Sequence, residues 1–209
     1  MSLVSGLTEE KLVSLREALA GRIGEYRFRH TLGVEETIAS LGRLYLPQDV
    51  FRLRAAALLH DLTKEWSAEK QIDFCREQGI SLSEAEIAAP KVLHAKTGAC
   101  LAQKEYPDIV DAEIATAIRE HTVAAPDMSL FSSLLYLADY IDPTRTYADC
   151  VALRAAFYDG YREESKDAHL AFIMSRAWQA SVDEVRGRGG EPIADTLAAL
   201  AFFLGKIKA

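Results

Sequence analysis

Apolar residues recur at helical spacing along most of this chain and almost nowhere alternate. Between about Glu25 and Tyr45 they fall at Phe28, Leu32, Ile38, Leu41, Leu44 and Tyr45, the three-and-four rhythm of one helix face. Pro47 ends that run. An earlier helix is predicted from the cap Thr8 to about Ala20, with Leu7 and Leu12 at staple positions. Further helices are predicted over about Val50–Leu62, from Ser67 to Gly79, and from Ser83, whose Glu86 completes a capping box, to Pro90. The pattern continues over about Lys96–Tyr106, from Asp111 to His121 and, past the loop VAAPDM, over about Leu130–Ile141 before Pro143. From Tyr147 onward it reads as two or three helices parted by GRGGEP near 187–192. No β-branched run alternates, no Asn-Gly hairpin signal appears, and there is no repeat. The expectation is all-α, one domain over residues 1–209, with about nine helices.

Two of these apolar runs carry charge where the pattern calls for core residues. AAALLHD is apolar until His60 and Asp61, and SSLLYLADYI is apolar except for Asp139. A buried, unpaired carboxylate costs several kcal/mol, so such a group needs a strong partner. Arg145 or Lys64 could supply it as a structural ion pair; a metal ion is the other candidate. Four of the five histidines, His30, His60, His94 and His121, sit on or beside predicted helices among apolar neighbours. Imidazole and carboxylate together suit transition metals such as Fe, Mn, Co, Ni or Zn. Neighbouring helix positions lie about 100° apart, so one ion between His60 and Asp61 could be reached by both. Asp61, with two oxygens, could bridge two ions. His169, in SKDAHLAF, shows no such context. Taken singly, each of these residues is equally well read as a satisfied core or surface group; it is their number and order that point to a site.

Composition narrows the options. Of 209 residues, 49% are hydrophobic, enough for a sizeable core, and the net charge is −7. No basic stripe stands out, which disfavours nucleic acid as a main partner. A small phosphorylated ligand needs only a few local cations. Cys75, Cys100 and Cys150 are odd in number and form no CxxC pair, so they read as reduced core thiols. MSLVSGLTEE lacks the regions of a signal peptide, and TLAALAFFL is far short of the ~20 residues that span a bilayer. The expectation is a cytoplasmic protein with no membrane partner; a homodimer is compatible with the sequence, but no feature marks its interface.

The words RFRHTLGV, AALLHDLTK, VLHAKTGA, AIREHT and LLYLADYIDPTR, in that order between about Tyr26 and Thr146, resemble the HD superfamily of metal-dependent phosphohydrolases. The closer resemblance is to its YqeK-type family of symmetrical bis(5′-nucleosyl)-tetraphosphatases, which split diadenosine tetraphosphate into two ADP. The resemblance implies an HD-type helical domain with its motif-bearing core at about 26–146 and C-terminal helices over 147–209. It implies that His30, His60, Asp61 and Asp139 bind one metal, iron in many members. His94 and His121 would either bind a second ion through Asp61 or contact substrate phosphate. Arg27 matches a phosphate-contacting arginine, Lys64 the lysine of the extended motif, and Arg145 and Thr146 further nucleotide contacts. Asp61, Lys64 and Asp139 are the expected catalytic groups. Spacing agrees for Arg27, which shares a helix face with His30, whereas Arg29 should point elsewhere.

The chain departs from the family pattern in two places. Relatives often carry a glycine and a basic residue where Ala124 and Ala125 stand, and a glutamate where Asp142 stands. These changes leave the implied ligand set intact and bear on substrate preference. Another nucleotide phosphohydrolase or nucleotidase on the same site is the nearest alternative. A low-turnover nucleotide-binding sensor and a di-iron oxygenase lie further off, and a purely structural helical protein leaves Asp139 and the His-Asp pair unexplained.

Overall fold

The structure, a computed structural model, describes residues 6–208. The first five residues of the stretch read above for a leader lie outside that range. Eleven α-helices and no strands occur among the described residues: α1 Glu9–Ala20, α2 Glu25–Tyr45, α3 Val50–Leu59, α4 Ala68–Glu77, α5 Glu84–Ala88, α6 Leu93–Glu105, α7 Ala112–Glu120, α8 Leu130–Ile141, α9 Ala148–Gly160, α10 Lys166–Gly187 and α11 Ala194–Lys208. The all-α expectation stands. The count of nine falls short: eight helices precede Tyr147 and three follow it, with breaks at Tyr161–Ser165 and at 188–193.

The caps form as the sequence predicts. Thr8, Ser67 and Asp111 accept from the amides of Lys11, Lys70 and Ile114, and Ser83 with Glu86 makes both bonds of a capping box. Ser129 does the same for α8. Two boundaries differ from expectation. Helix α3 stops at Leu59 rather than Leu62, and the chain continues in tight i→i+3 turns (Leu62 to Leu59, Lys64 to Asp61). Helix α6 begins at Leu93 rather than Lys96, which brings His94 into its first turn.

Helix α3 is the axis of the fold. Leu53 and Ala55 to Leu59 are all buried, and a helical stretch apolar on every side belongs in the interior. It packs against α2 most extensively and also against α1, α6, α7 and α8. Helix α8, with Phe131 to Ala138 buried, closes the other side of α2. Helices α9, α10 and α11 follow on: α9 and α10 pack on α8, and α10 pairs with α11. No helix among the described residues is long and apolar enough to cross a membrane.

Candidate metal centre

Because α3 runs through the middle, its end is a meeting point for its neighbours. His60 is the C-terminal cap of α3 and His121 that of α7, while Asp139 lies in the last turn of α8. His30 is in the second turn of α2, and His94 is the second residue of α6. Three helix C-termini, each bearing partial negative charge, therefore surround one point, an arrangement that favours a cation. All four histidines and Asp61 are buried.

Asp61 occupies the centre of the cluster. Its Oδ2 lies 3.7 Å from His30 Nε2 and 3.4 Å from His60 Nε2. Its Oδ1 lies 3.3 Å from His94 Nε2 and 3.7 Å from His121 Nε2. Asp139 Oδ1 is 2.9 Å from His30 Nε2 and 3.8 Å from His60 Nε2. The carboxylate thus divides the histidines into two pairs, one on each oxygen, with Asp139 on the His30–His60 side.

The backbone fixes how the rings present their nitrogens. Nδ1 of His60, His94 and His121 lies 2.6, 2.7 and 2.6 Å from the carbonyl oxygens of Ala57, Lys91 and Ile118, each three residues back. A carbonyl only accepts, so Nδ1 carries the hydrogen and Nε2 turns its lone pair on the centre. His94 Nε2 and His121 Nε2 stand 3.0 Å apart. The groups that can donate between them are the Thr122 hydroxyl, 3.1 and 3.2 Å away, and the Lys64 ammonium, 3.1 Å from His94 Nε2. His30 differs: its Nδ1 lies 3.2 Å from Asp142 Oδ2 and 3.3 Å from Thr144 Oγ1.

Titration behaviour follows from these surroundings. Burial holds His94 well below the ordinary histidine range and lowers His121 as well, which keeps both neutral. Burial also works against a charged His30, but Asp139 and Asp142 outweigh it and push that ring up to about 9. Burial would raise Asp61 and Asp139, yet the histidines around Asp61, and Arg145 with His30 beside Asp139, hold both well below the usual carboxylate range. Lys64 is lowered by burial, with Arg27 and Arg145 adding like-charge repulsion.

These residues fit a metal ion. The buried atoms His60 Nε2 and Asp61 Oδ1 have no hydrogen-bond partner among the described residues, a costly arrangement unless a cation meets them. Ligand atoms of His30, His60 and Asp139 lie within 4.8 Å of one another, as do those of His60, Asp61 and His121. The clusters are therefore able to hold a metal.

Three cations stand beside the cluster. Arg27 Nη1 donates to Asp61 Oδ2 at 2.5 Å, and its buried Nε has no partner among the described residues. Arg145 Nη2 donates to Asp139 Oδ1 at 2.5 Å, so the ion pair weighed above for Asp139 exists alongside its histidine contacts. Lys64 completes the set. Arg29 is exposed, as its position on the helix predicts. Thr146 is exposed and makes no side-chain hydrogen bond among the described residues; the hydroxyl beside His30 belongs to Thr144. His169 instead meets the Phe157 carbonyl oxygen at 2.9 Å.

Sequence reasoning missed the support around His30. Asp142 is fully buried and accepts from the Thr144 amide at 2.9 Å and from its hydroxyl. Arg154, from α9, donates to the carbonyls of Ile141, Asp142 and Arg145 and so holds the whole turn. Gly33 makes room for it: a Cβ there would sit 2.9 Å from Asp142 Oδ1 and 3.0 Å from Thr144 Cγ2. The apolar residue Ile141 before a buried aspartate was a usable signal; Arg154 offered none. The loop after His121 shows a further effect. Ala124 adopts φ +67°, the left-handed conformation that favours glycine, while its amide donates to the Glu120 carbonyl.

Comparison with known proteins places this geometry in context. A family model described as the HD domain matches residues 27–144, a stretch that holds all six cluster residues. A protein of Halalkalibacterium halodurans named bis(5′-nucleosyl)-tetraphosphatase, symmetrical, is 36% identical over 123 residues, or 59% of this chain and 64% of the relative's length. Its Bacillus subtilis namesake is 34% identical over 141 residues, 66% of this chain and 71% of the relative. The crystal structure of a predicted HD superfamily hydrolase involved in NAD metabolism, from Clostridium acetobutylicum, superposes with a TM-score of 0.81 at 30% identity, covering 92% of this chain and 96% of the other.

Proposed function

This chain belongs to the HD-domain family, and from that premise we propose that it is a metal-dependent phosphohydrolase that splits diadenosine tetraphosphate into two ADP. The observation that carries the reading is the division of Asp61, whose two oxygens each face a separate pair of imidazole nitrogens. Its relatives' name supplies the substrate class. The packing of α9 and α10 on α8, and the hold of Arg154 on the turn after Ile141, support one domain for the whole chain.

His30, His60, Asp61 and Asp139 would hold one ion, and His94 and His121 with the other oxygen of Asp61 would hold a second. Iron is the ion the family resemblance suggests; Mn, Co, Ni and Zn suit the same donor set. When bound, such an ion lowers the pKa of water and neutralises phosphoryl charge. The protein's own groups do the rest. Asp139, more exposed than Asp61 or the four histidines, accepts a hydrogen bond from the attacking water and orients it. Water oxygen bonds to one of the two central phosphorus atoms, and the oxygen bridging them leaves with the other ADP. The protons of the water pass to solvent as the two products ionise. Arg27, Lys64 and Arg145 meet the charge that gathers on the departing phosphate. The unpartnered Nε of Arg27 is a donor still free for that contact.

A substrate panel with metal-loaded protein tests this. Diadenosine tetraphosphate should give ADP alone. ATP plus AMP as products, or faster release of phosphate from ATP or nucleoside monophosphates, would overturn the symmetrical reading.

A further inference from the structure

Beside the cluster lies a cavity of about 510 Å³ whose walls include Arg27, Lys64, Trp66, Gln71, Pro90 and Lys91. Arg27 and Lys64 also border the candidate metal centre, so the cavity adjoins it. The size is that of an ordinary small-ligand site. Its charge is one-sided: three cations line it and no carboxylate does. Lys64 and Lys91 make no ion pair among the described residues. The cavity of similar size by α1 and α2 differs on this point, since Arg16, Arg43 and Arg54 are balanced there by Glu9, Glu35 and Glu36. An anion is the ligand that the unbalanced cavity suits.

The far wall is aromatic. Trp66 is half-buried and held in place. Phe74 meets it edge-on with centroids 5.4 Å apart, and the Lys70 ammonium lies 3.9 Å from its ring centroid. Trp66 lines the cavity, whereas Lys70 is not part of its wall. Cations near the cluster and a fixed aromatic face beyond them match the two ends of a nucleoside diphosphate. Base-on-aromatic stacking is tolerant of which base is bound, because every base has a π face.

We propose that this cavity receives one ADP half of the substrate, with its phosphates against Arg27, Lys64 and Lys91 and its purine stacked on Trp66. The proposal rests on the phosphohydrolase reading for its substrate, and Trp66 is its base-binding residue. The chain has two tryptophans, and Trp178 is fully buried against Tyr136. Trp66 is therefore the emitter that a bound base can reach.

The experiment titrates ADP into the metal-loaded full chain while following tryptophan fluorescence, and measures KM for diadenosine tetraphosphate. Wild type should be quenched. Trp66→Leu should lose the quench and raise KM about tenfold, the scale of one stacked base. Trp66→Phe keeps an aromatic face; it should lose the quench yet hold KM within about threefold of wild type, which separates stacking from damage to the fold. Quenching that survives in either variant, or an unchanged KM in Trp66→Leu, overturns the proposal. A wild type that is quenched by ADP but never splits the tetraphosphate would instead overturn the hydrolase reading and leave the ADP cavity standing.

Discussion

Gly33→Ala adds one methyl group in the middle of α2, and the geometry around it predicts a modest effect on folding and a large one on metal binding. Alanine is the better helix former by about 1 kcal/mol. The new Cβ, however, would meet Asp142 Oδ1 at 2.9 Å and Thr144 Cγ2 at 3.0 Å. Overpacking of this kind costs about 1–3 kcal/mol. The net change in stability is then about 0–2 kcal/mol of loss, or at most about 4–8 °C in Tm for a chain of this length. Relief comes when the Asp142–Thr144 turn moves away from α2. That motion withdraws Asp142 Oδ2 from its place 3.2 Å from His30 Nδ1. Loss of such a carboxylate behind a metal-binding histidine typically costs about 10–100-fold in affinity. Isothermal titration of metal-free protein with Mn²⁺, beside a thermal melt, reads both quantities. A variant that melts within about 8 °C of wild type but binds Mn²⁺ tenfold or more weakly supports the reasoning. Wild-type affinity would refute it, because Asp142 would then have no hold on His30.

Metal binding should depend on pH through His30. With its proton leaving at about 9, the metal-free site must release that proton, and the dissociation constant for Mn²⁺ should fall about eightfold from pH 7.5 to 8.5; a flat profile would contradict this. The same raised pKa stabilises the metal-free fold fully below about pH 6.5, and that contribution is lost as pH rises through about 9, so melts of metal-free protein should show a decline across that interval. Ala124→Gly should raise Tm by about 2–4 °C, since it relieves about 1 kcal/mol of left-handed strain; a lower Tm would mean the strain is absent. Lys64→Ala should slow hydrolysis about 10–100-fold while metal content, read by elemental analysis, stays at the wild-type level.

Much of the fold was legible because its signals are local. A cap and its amide lie three residues apart, so Thr8, Ser67, Ser83 and Asp111 announce their helices within a single turn. The apolar run before His60 likewise marks α3 as an interior helix. The candidate cluster was legible for a related reason: charge inside an apolar run is visible without coordinates, and the motifs around it occur in a recognisable order. What stayed hidden depends on distant contacts. His30 and Asp142 are 112 positions apart and meet because Gly33 lets the turn after Ile141 approach α2. Arg154 reads as an ordinary helical arginine until α9 folds back over that turn. The family resemblance pointed to Thr146, and nothing in the sequence singled out Thr144, whose hydroxyl the turn after Asp142 brings to His30. The end of α3 was misjudged because the i→i+3 turns after Leu59 keep helix-like composition while changing the backbone path.

Asp61 is the residue on which the proposed metal centre turns, since each of its oxygens faces a pair of imidazole nitrogens. Elemental analysis of wild type and Asp61→Ala, run beside hydrolysis of diadenosine tetraphosphate, addresses that directly. Metal content and turnover should fall together, each by more than about tenfold. A folded Asp61→Ala protein that keeps its metal and still produces ADP would contradict the account.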